Sequence, residues 1–237
     1  MNARVDLSAR IDDVLARLDG AARRAGRDGA EVQILLATKT RTAAEIADAV
    51  RGFRARGRDV VVGENRAQEI AKHDDPALVA LGVPRHFIGR LQTNKAKDVV
   101  AFASVIHSVD RDAVIDALAR RAELADVERD VLLQVNTSGE QSKGGYAPDA
   151  ATVQAALERV AATGRLRPVG LMTIGAHTDD EASVRASLGA LRVLRDEIAM
   201  PGVTELSMGM SGDLEIAVEE GSTIVRLGSA VFGPRAA

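Results

Sequence analysis

The sequence has no cysteine, no tryptophan, one tyrosine, four phenylalanines and six prolines in 237 residues. Without cysteine there is no disulfide framework, no thiolate nucleophile and no cysteine-based zinc site, so no metal centre is expected and the composition fits a reducing compartment. An aromatic share of 2% leaves few platforms for stacking bases, and a formal charge of −3 gives no cationic footprint for a phosphate backbone. Nucleic acid is therefore not an expected partner. No apolar run approaches the roughly 18 residues that cross a bilayer, and the N-terminal stretch carries charges throughout instead of the apolar core of a signal peptide. The expectation is a cytoplasmic protein without a membrane partner. No Pro/Gly/Ser-rich linker or internal repeat divides the chain, so residues 1–237 are expected to form one domain.

Apolar residues are plentiful, at 46% against 27% charged, enough to build a sizeable core. Val5, Leu7, Ile11, Val14, Leu15, Leu18 and Ala22 recur at three- and four-residue steps, which predicts an amphipathic helix over about 4–25, stopped at Gly26. Beyond it the period changes. Short apolar runs, of which EVQILLATKT is the first, alternate with helical patterns to the end of the chain. Eight strands are expected, at about 32–39, 60–64, 86–89, 104–108, 131–136, 169–174, 204–208 and 223–228. Eight such units predict an α/β protein whose parallel sheet closes into a (β/α)8 TIM barrel with an extra N-terminal helix; an open doubly wound sheet is the structural rival.

In such a barrel the active site lies at the C-terminal ends of the strands, so the polar residues closing each run are the candidates. ILLATKTRT ends in Lys39, with Arg41 two residues on. Strand 2 runs into Glu64 and Asn65, strand 3 carries His86 ahead of Arg90 and Gln92, strand 4 ends in His107, Ser108 and Asp110, and strand 7 in Ser207, Met208 and Gly209. SMGMSGDLEIA sets Gly209, Ser211 and Gly212 before a helix, and RLGSAVFG adds Gly228 and Ser229, a pairing that suits a phosphate. Turn glycines with Ser211 as a helix cap would read the same way. Arg226 sits inside TIVRLG and cannot shed its charge, so it needs either a carboxylate such as Glu205 or Glu64, or a ligand at the barrel mouth. Lys39 could simply reach solvent. With a cation nearby and a phosphate cup across the barrel, its amine can instead act as a nucleophile toward a carbonyl, which suggests a Schiff base with pyridoxal phosphate.

With those residues in view, the chain resembles the pyridoxal phosphate homeostasis protein family. HFIGRLQTNKAKDV, residues 86–99, matches the family signature at His86, Gly89, Gln92, Asn94 and Lys95. ATKT, VGENRAQE, HSVD, the SKGGY loop, GLMTIG and LSMGMSGDLEIAVEEGSTIVRLGSAVFG fall in the family's order, so the resemblance runs from about Val32 to Gly233. It implies a monomeric barrel similar to the N-terminal domain of alanine racemase, holding pyridoxal phosphate through an imine to Lys39. It further implies that Ser207, Met208, Gly209, Ser211, Gly228 and Ser229 cradle the phosphate, that Arg226 faces the pyridine nitrogen and that Asn65 lies near the lysine. Two positions depart from the family pattern. Arg85 replaces an aromatic and is expected to alter packing or a rim charge; Thr42 replaces a common proline and is expected to loosen the loop after strand 1.

The resemblance also bears on activity. An arginine at the pyridine nitrogen opposes protonation and weakens the cofactor as an electron sink, although alanine racemase works with one. That enzyme needs a second base, a tyrosine from a further domain, and no such domain is expected after strand 8. The sole tyrosine, Tyr146, reads as a packing or rim residue, and Lys143 of the SKGGY loop as a solvated lysine or a second amine that captures the aldehyde. The favoured expectation is a protein that reversibly holds pyridoxal phosphate and buffers or delivers it to cofactor-free enzymes. Amino-acid racemisation is the alternative, and a sugar-phosphate barrel with a Schiff-base lysine a more remote one.

Overall fold

The computed structural model describes residues 2–140 and 143–234. Ser142 of the SKGGY loop lies outside the described residues. Eight parallel strands follow one another in sequence order and close on themselves: β1 (Gln33–Ala37), β2 (Val60–Glu64), β3 (Arg85–Phe87), β4 (Val105–Val109), β5 (Arg129–Gln134), β6 (Leu166–Met172), β7 (Glu205–Ser207) and β8 (Ile224–Leu227). The helices are α1 (Asn2–Arg24), α2 (Ala43–Arg54), α3 (Pro76–Val79), α4 (Ala96–Phe102), α5 (Asp112–Leu124), α6 (Ala150–Ala162), α7 (Glu181–Ile198), α8 (Leu214–Glu219) and α9 (Ser229–Phe232). The expected barrel is therefore present, and the open sheet is not.

Strand alternation decides what faces inward, because successive side chains point to opposite faces. Ile34, Leu36, Val60, Val62, Val225 and Leu227 turn outward and join Ile46, Val50 and Phe53 of α2 in one buried cluster. The residues between them, Leu35, Val61 and Ile224, pack on one another and on Ile88 as an apolar plug inside the barrel. Continuing inward at every second residue gives Ala37 and Lys39, Gly63 and Asn65, and Arg226 and Gly228. A cation is thus carried into the barrel by the same period that fills its base.

The N-terminal helix runs over Asn2–Arg24 and is followed by Gly26 at φ +68°, a backbone conformation that glycine adopts without steric cost. Its stripe of Ile11, Val14, Leu18, Ala21 and Ala22 is buried. Its polar edge reaches the far end of the chain. Arg17 binds Glu215 through two nitrogens (2.6 and 2.9 Å) and donates to the Ser211 carbonyl at 3.1 Å, and Arg27 donates to the carbonyls of Val218 and Ser222. The helix therefore buttresses the loop between β7 and α8.

Several expectations need correction. Strand β1 stops at Ala37, so Lys39 lies in the following turn, where Thr40 takes φ +65°. Thr42 does not loosen that turn: it caps α2, accepting from the Glu45 N–H while the Glu45 side chain accepts from the Thr42 N–H at 2.8 Å. NRAQEIAKH, which the alternation of strands and helices makes a helix, is a 3-10 segment over Ala67–Asp74, whose three-residue period puts Glu69 and Lys72 on one face. Strand β6 begins earlier than expected, at Leu166. Pro168 brings no N–H to the ladder, and the register with β5 shifts between Val131 and Leu132 beside it. Arg85 donates to the His73 carbonyl at 2.6 Å and lies over the Phe102 ring.

Candidate functional site

Lys39, Asn65, Arg226 and Gly228 line a cavity of about 340 Å³ at the C-terminal mouth of the barrel, together with Ser211, Gly212 and Ser229 from the loops after β7 and β8. The half-buried Lys39 makes no hydrogen bond or ion pair among the described residues. Its amine is thus available to a ligand. Arg41 lines the same cavity but its guanidinium is occupied, donating to the Gly233 carbonyl at 3.0 Å and lying 5.4 Å from the centre of the Phe232 ring.

The turn carrying Lys39 is held from both sides. Lys72 donates to the Thr38 carbonyl at 2.7 Å, and Glu69 accepts from the Thr40 N–H at 2.7 Å. Burial works to raise the Glu69 pKa, but the Thr40 N–H and Lys72 outweigh it and hold the carboxylate below its usual range. Beneath them Glu64, fully buried on the outer face of β2, accepts from Thr38 Oγ1, from Lys72 Nζ at 2.7 Å and from His73 Nε2 at 2.9 Å. A buried carboxylate with this many donors is a fixed anchor.

Arg226 pairs with neither Glu205 nor Glu64. It donates to Ser207 Oγ at 2.9 Å and to the Thr173 carbonyl at 2.8 Å, and burial lowers its pKa to about 10, against the pull of the Asp213 charge. It therefore stays cationic at neutral pH. Because Ser207 accepts from Arg226, its own proton is free for His107 Nδ1, 2.8 Å away; His107 Nε2 then donates to His86 Nδ1 at 2.9 Å. Burial lowers His86 to about 4 and, with the charges of His86 and Arg226 nearby, puts His107 well below its usual value. Both imidazoles are neutral, which is what permits this one-directional chain.

Opposite Lys39, Ser211 Oγ accepts from the Ala230 N–H at 3.0 Å and so ties the β7 and β8 loops together. The N–H groups of Ser211, Gly212, Gly228 and Ser229 have no protein acceptor among the described residues. Four donors around one concavity form a cup for an anion. Of the residues expected to cradle a phosphate, Ser211, Gly228 and Ser229 border the cavity. Ser207, Met208 and Gly209 stand behind its wall, buried, with the Ser207 hydroxyl spent on Arg226 and His107. Lys143 is not solvated: Glu140 and the Gly175 carbonyl hold it at 2.5 and 2.6 Å. Tyr146 packs against the core and donates to Asp112 at 2.8 Å, and burial together with that carboxylate raises its pKa.

Sequence reasoning missed Glu69, Lys72 and His73 as supports of Lys39, because they lay in a segment read as an ordinary helix. It also missed Arg17, whose role at Ser211 spans 194 positions and has no local signal.

The fold and cavity define a (β/α)8 barrel of the alanine racemase N-terminal domain class, and the family model of that description matches residues 63–236. A pyridoxal phosphate homeostasis protein of Aquifex aeolicus is 40% identical over 95% of this chain and 97% of its own. One of Pseudomonas aeruginosa is 41% identical over 97% and 96%. Among solved structures, PipY of Synechococcus elongatus with PLP bound is 32% identical, covers 93% of this chain and 100% of its own, and superposes with a TM-score of 0.74. The chain belongs to the pyridoxal phosphate homeostasis protein family.

Proposed function

We propose that this protein binds pyridoxal phosphate reversibly and serves its homeostasis, holding the cofactor for delivery to cofactor-free enzymes. The observation that carries this reading is the unpartnered amine of Lys39 lining one cavity with a cup of free N–H groups and with buried Arg226. The residues fit the group in kind: an amine for an aldehyde, backbone donors for a phosphate, and a cavity in the range that small ligands occupy. Bound pyridoxal phosphate supplies an electrophilic aldehyde and an electron-accepting ring.

The chain's own residues divide the work. Lys39 would bind covalently at the aldehyde carbon, its nitrogen replacing the carbonyl oxygen, which leaves as water, while Ser211, Gly212, Gly228 and Ser229 would hold the phosphate through N–H groups and Asn65 would border the lysine. Arg226, as the family resemblance implies, would face the ring nitrogen. Its positive charge is fixed by the Ser207 and Thr173 contacts and disfavours a proton there. Ser207, Met208 and Gly209 shape the cup from behind. Racemisation would require a second base, and Tyr146 does not suit that role with its proton held toward Asp112. A monomer in the cytoplasm completes the proposal; no described helix is long and apolar enough to cross a membrane.

The test is spectroscopic. Purified protein titrated with pyridoxal phosphate should gain a visible absorption band that borohydride bleaches and fixes at Lys39, and Lys39→Ala should abolish both. A protein that stays colourless, or a variant that behaves as the parent does, overturns the assignment. With amino acids in deuterated water, slow α-proton exchange without loss of chirality is expected; rapid racemisation would establish an enzyme instead.

A further inference from the structure

The two most informative motifs, VGENRAQE and HFIGRLQTNKAKDV, contribute little to the Lys39 cavity: of their residues only Asn65 borders it. What they line is a larger cleft of about 640 Å³ on the other side of Asn65. Four cations stand on its walls, Arg66, Arg90, Lys95 and Arg111, in a chain whose net charge is −3. The one carboxylate among the lining residues, Glu69, is already bound to Thr40 and Lys72. Asp110 partners Arg111 at 2.5 Å and lies 3.8 Å from Arg90. The side chains of Arg66 and half-buried Lys95 make no hydrogen bond or ion pair among the described residues, although Glu69 feels the charge of Arg66. Phe87 and Leu91 form the apolar base.

We propose that this cleft is a second, noncovalent ligand site that takes an aromatic phosphate monoester. Guanidinium and ammonium groups converging on a concave surface suit a dianion, and they repel one another until an anion arrives. The apolar base suits a flat ring, and the volume lies within the range of small-ligand sites. The shared Asn65 wall makes the cleft a holding position beside Lys39, from which such a ligand passes into the inner cavity. The anion site stands on the cleft's own residues; only the identification of its natural ligand with the B6 phosphates rests on the proposed function.

4-Nitrophenyl phosphate, which has no aldehyde, is the probe. It is titrated calorimetrically at low salt into protein whose Lys39 has been loaded with pyridoxal phosphate and reduced with borohydride. One equivalent is expected to bind, more tightly than inorganic phosphate and less tightly as salt rises. Arg66→Gln/Lys95→Gln, which leaves the Lys39 adduct in place, should weaken it by roughly 10- to 100-fold, and Arg66→Gln alone should move it in the same direction. Absence of binding, or binding indifferent to these substitutions, overturns the proposal, and inorganic phosphate binding equally well overturns its aromatic part. If pyridoxal phosphate never labels Lys39, the cofactor reading has failed; the same titration on unmodified protein still decides the cleft through its dependence on Arg66 and Lys95.

Discussion

The Glu69 carboxylate accepts the backbone N–H of Thr40 at 2.7 Å, one residue beyond Lys39. Thr40 is β-branched and sits at φ +65°, a conformation that costs on the order of 1–3 kcal/mol and persists only where neighbours impose it. Lys72, donating to the Thr38 carbonyl on the other side of Lys39, completes the restraint. The backbone on both sides of Lys39 is therefore held by a pair of residues that do not line its cavity.

Glu69→Ala should lower the affinity of Lys39 for pyridoxal phosphate by roughly 10-fold or more, since a charge-assisted hydrogen bond contributes about 1.5–3 kcal/mol. Adding Thr40→Gly should recover part of the loss, because glycine takes a positive φ without strain. Titration of the borohydride-sensitive absorption measures both. Unchanged affinity in Glu69→Ala would show that the turn holds itself.

Gly89 explains a fixed point of the strand 3 signature. A Cβ there would lie 1.8 Å from the Asn65 carbonyl oxygen, a backbone atom that cannot swing aside. Gly89→Ala should force β2 and β3 apart at the cavity mouth, cost roughly 2–4 kcal/mol in urea denaturation and weaken cofactor binding with it. A variant as stable as the parent would mean that the approach can relax.

Acid should destabilise this protein before its carboxylates titrate. The folded-state pKa of His86, about 4, lies below the unfolded value of 6.5, so protons bind the unfolded chain first. The contribution of the neutral ring is full above the unfolded pKa, falls as pH drops from 6.5 toward 4, and is gone below. For His86 this amounts to about 3 kcal/mol, and His107 adds in the same direction. Urea denaturation at about pH 7 and about pH 4.5 should show the loss, and His86→Gln should make it shallower. Equal slopes would place the acid sensitivity elsewhere.

Arg17 joins the N-terminal helix to the cup of free N–H groups through the Ser211 carbonyl. Because it is partly exposed, its ion pair with Glu215 contributes only about 0.2–1 kcal/mol. Arg17→Ala should therefore leave the melting temperature nearly unchanged while weakening inorganic phosphate as a competitor of pyridoxal phosphate. A large thermal shift with unaltered competition would assign Arg17 to stability instead.

Much of the barrel could be read before it was seen, and the reason is periodicity. A two-residue repeat that makes Leu35, Val61 and Ile224 the inner plug must also send Lys39, Asn65 and Arg226 to the mouth. Strand ends were less legible: nothing local shows that β1 stops at Ala37, because the turn beyond it is imposed by Glu69 from a neighbouring segment. Thr42 misled because a missing proline was read as lost rigidity, whereas the capping box with Glu45 supplies it by hydrogen bonds.

By itself the sequence determined the number of strands, their inward residues and the polar mouth, all consequences of short-range patterning. Only tertiary structure decided which groups Arg226, the Lys39 turn and the cup of N–H groups would lean on. Those contacts join Thr40 to Glu69 and Arg17 to Ser211, 29 and 194 positions apart, and they exist only once the barrel has closed and fixed the distance between its ends.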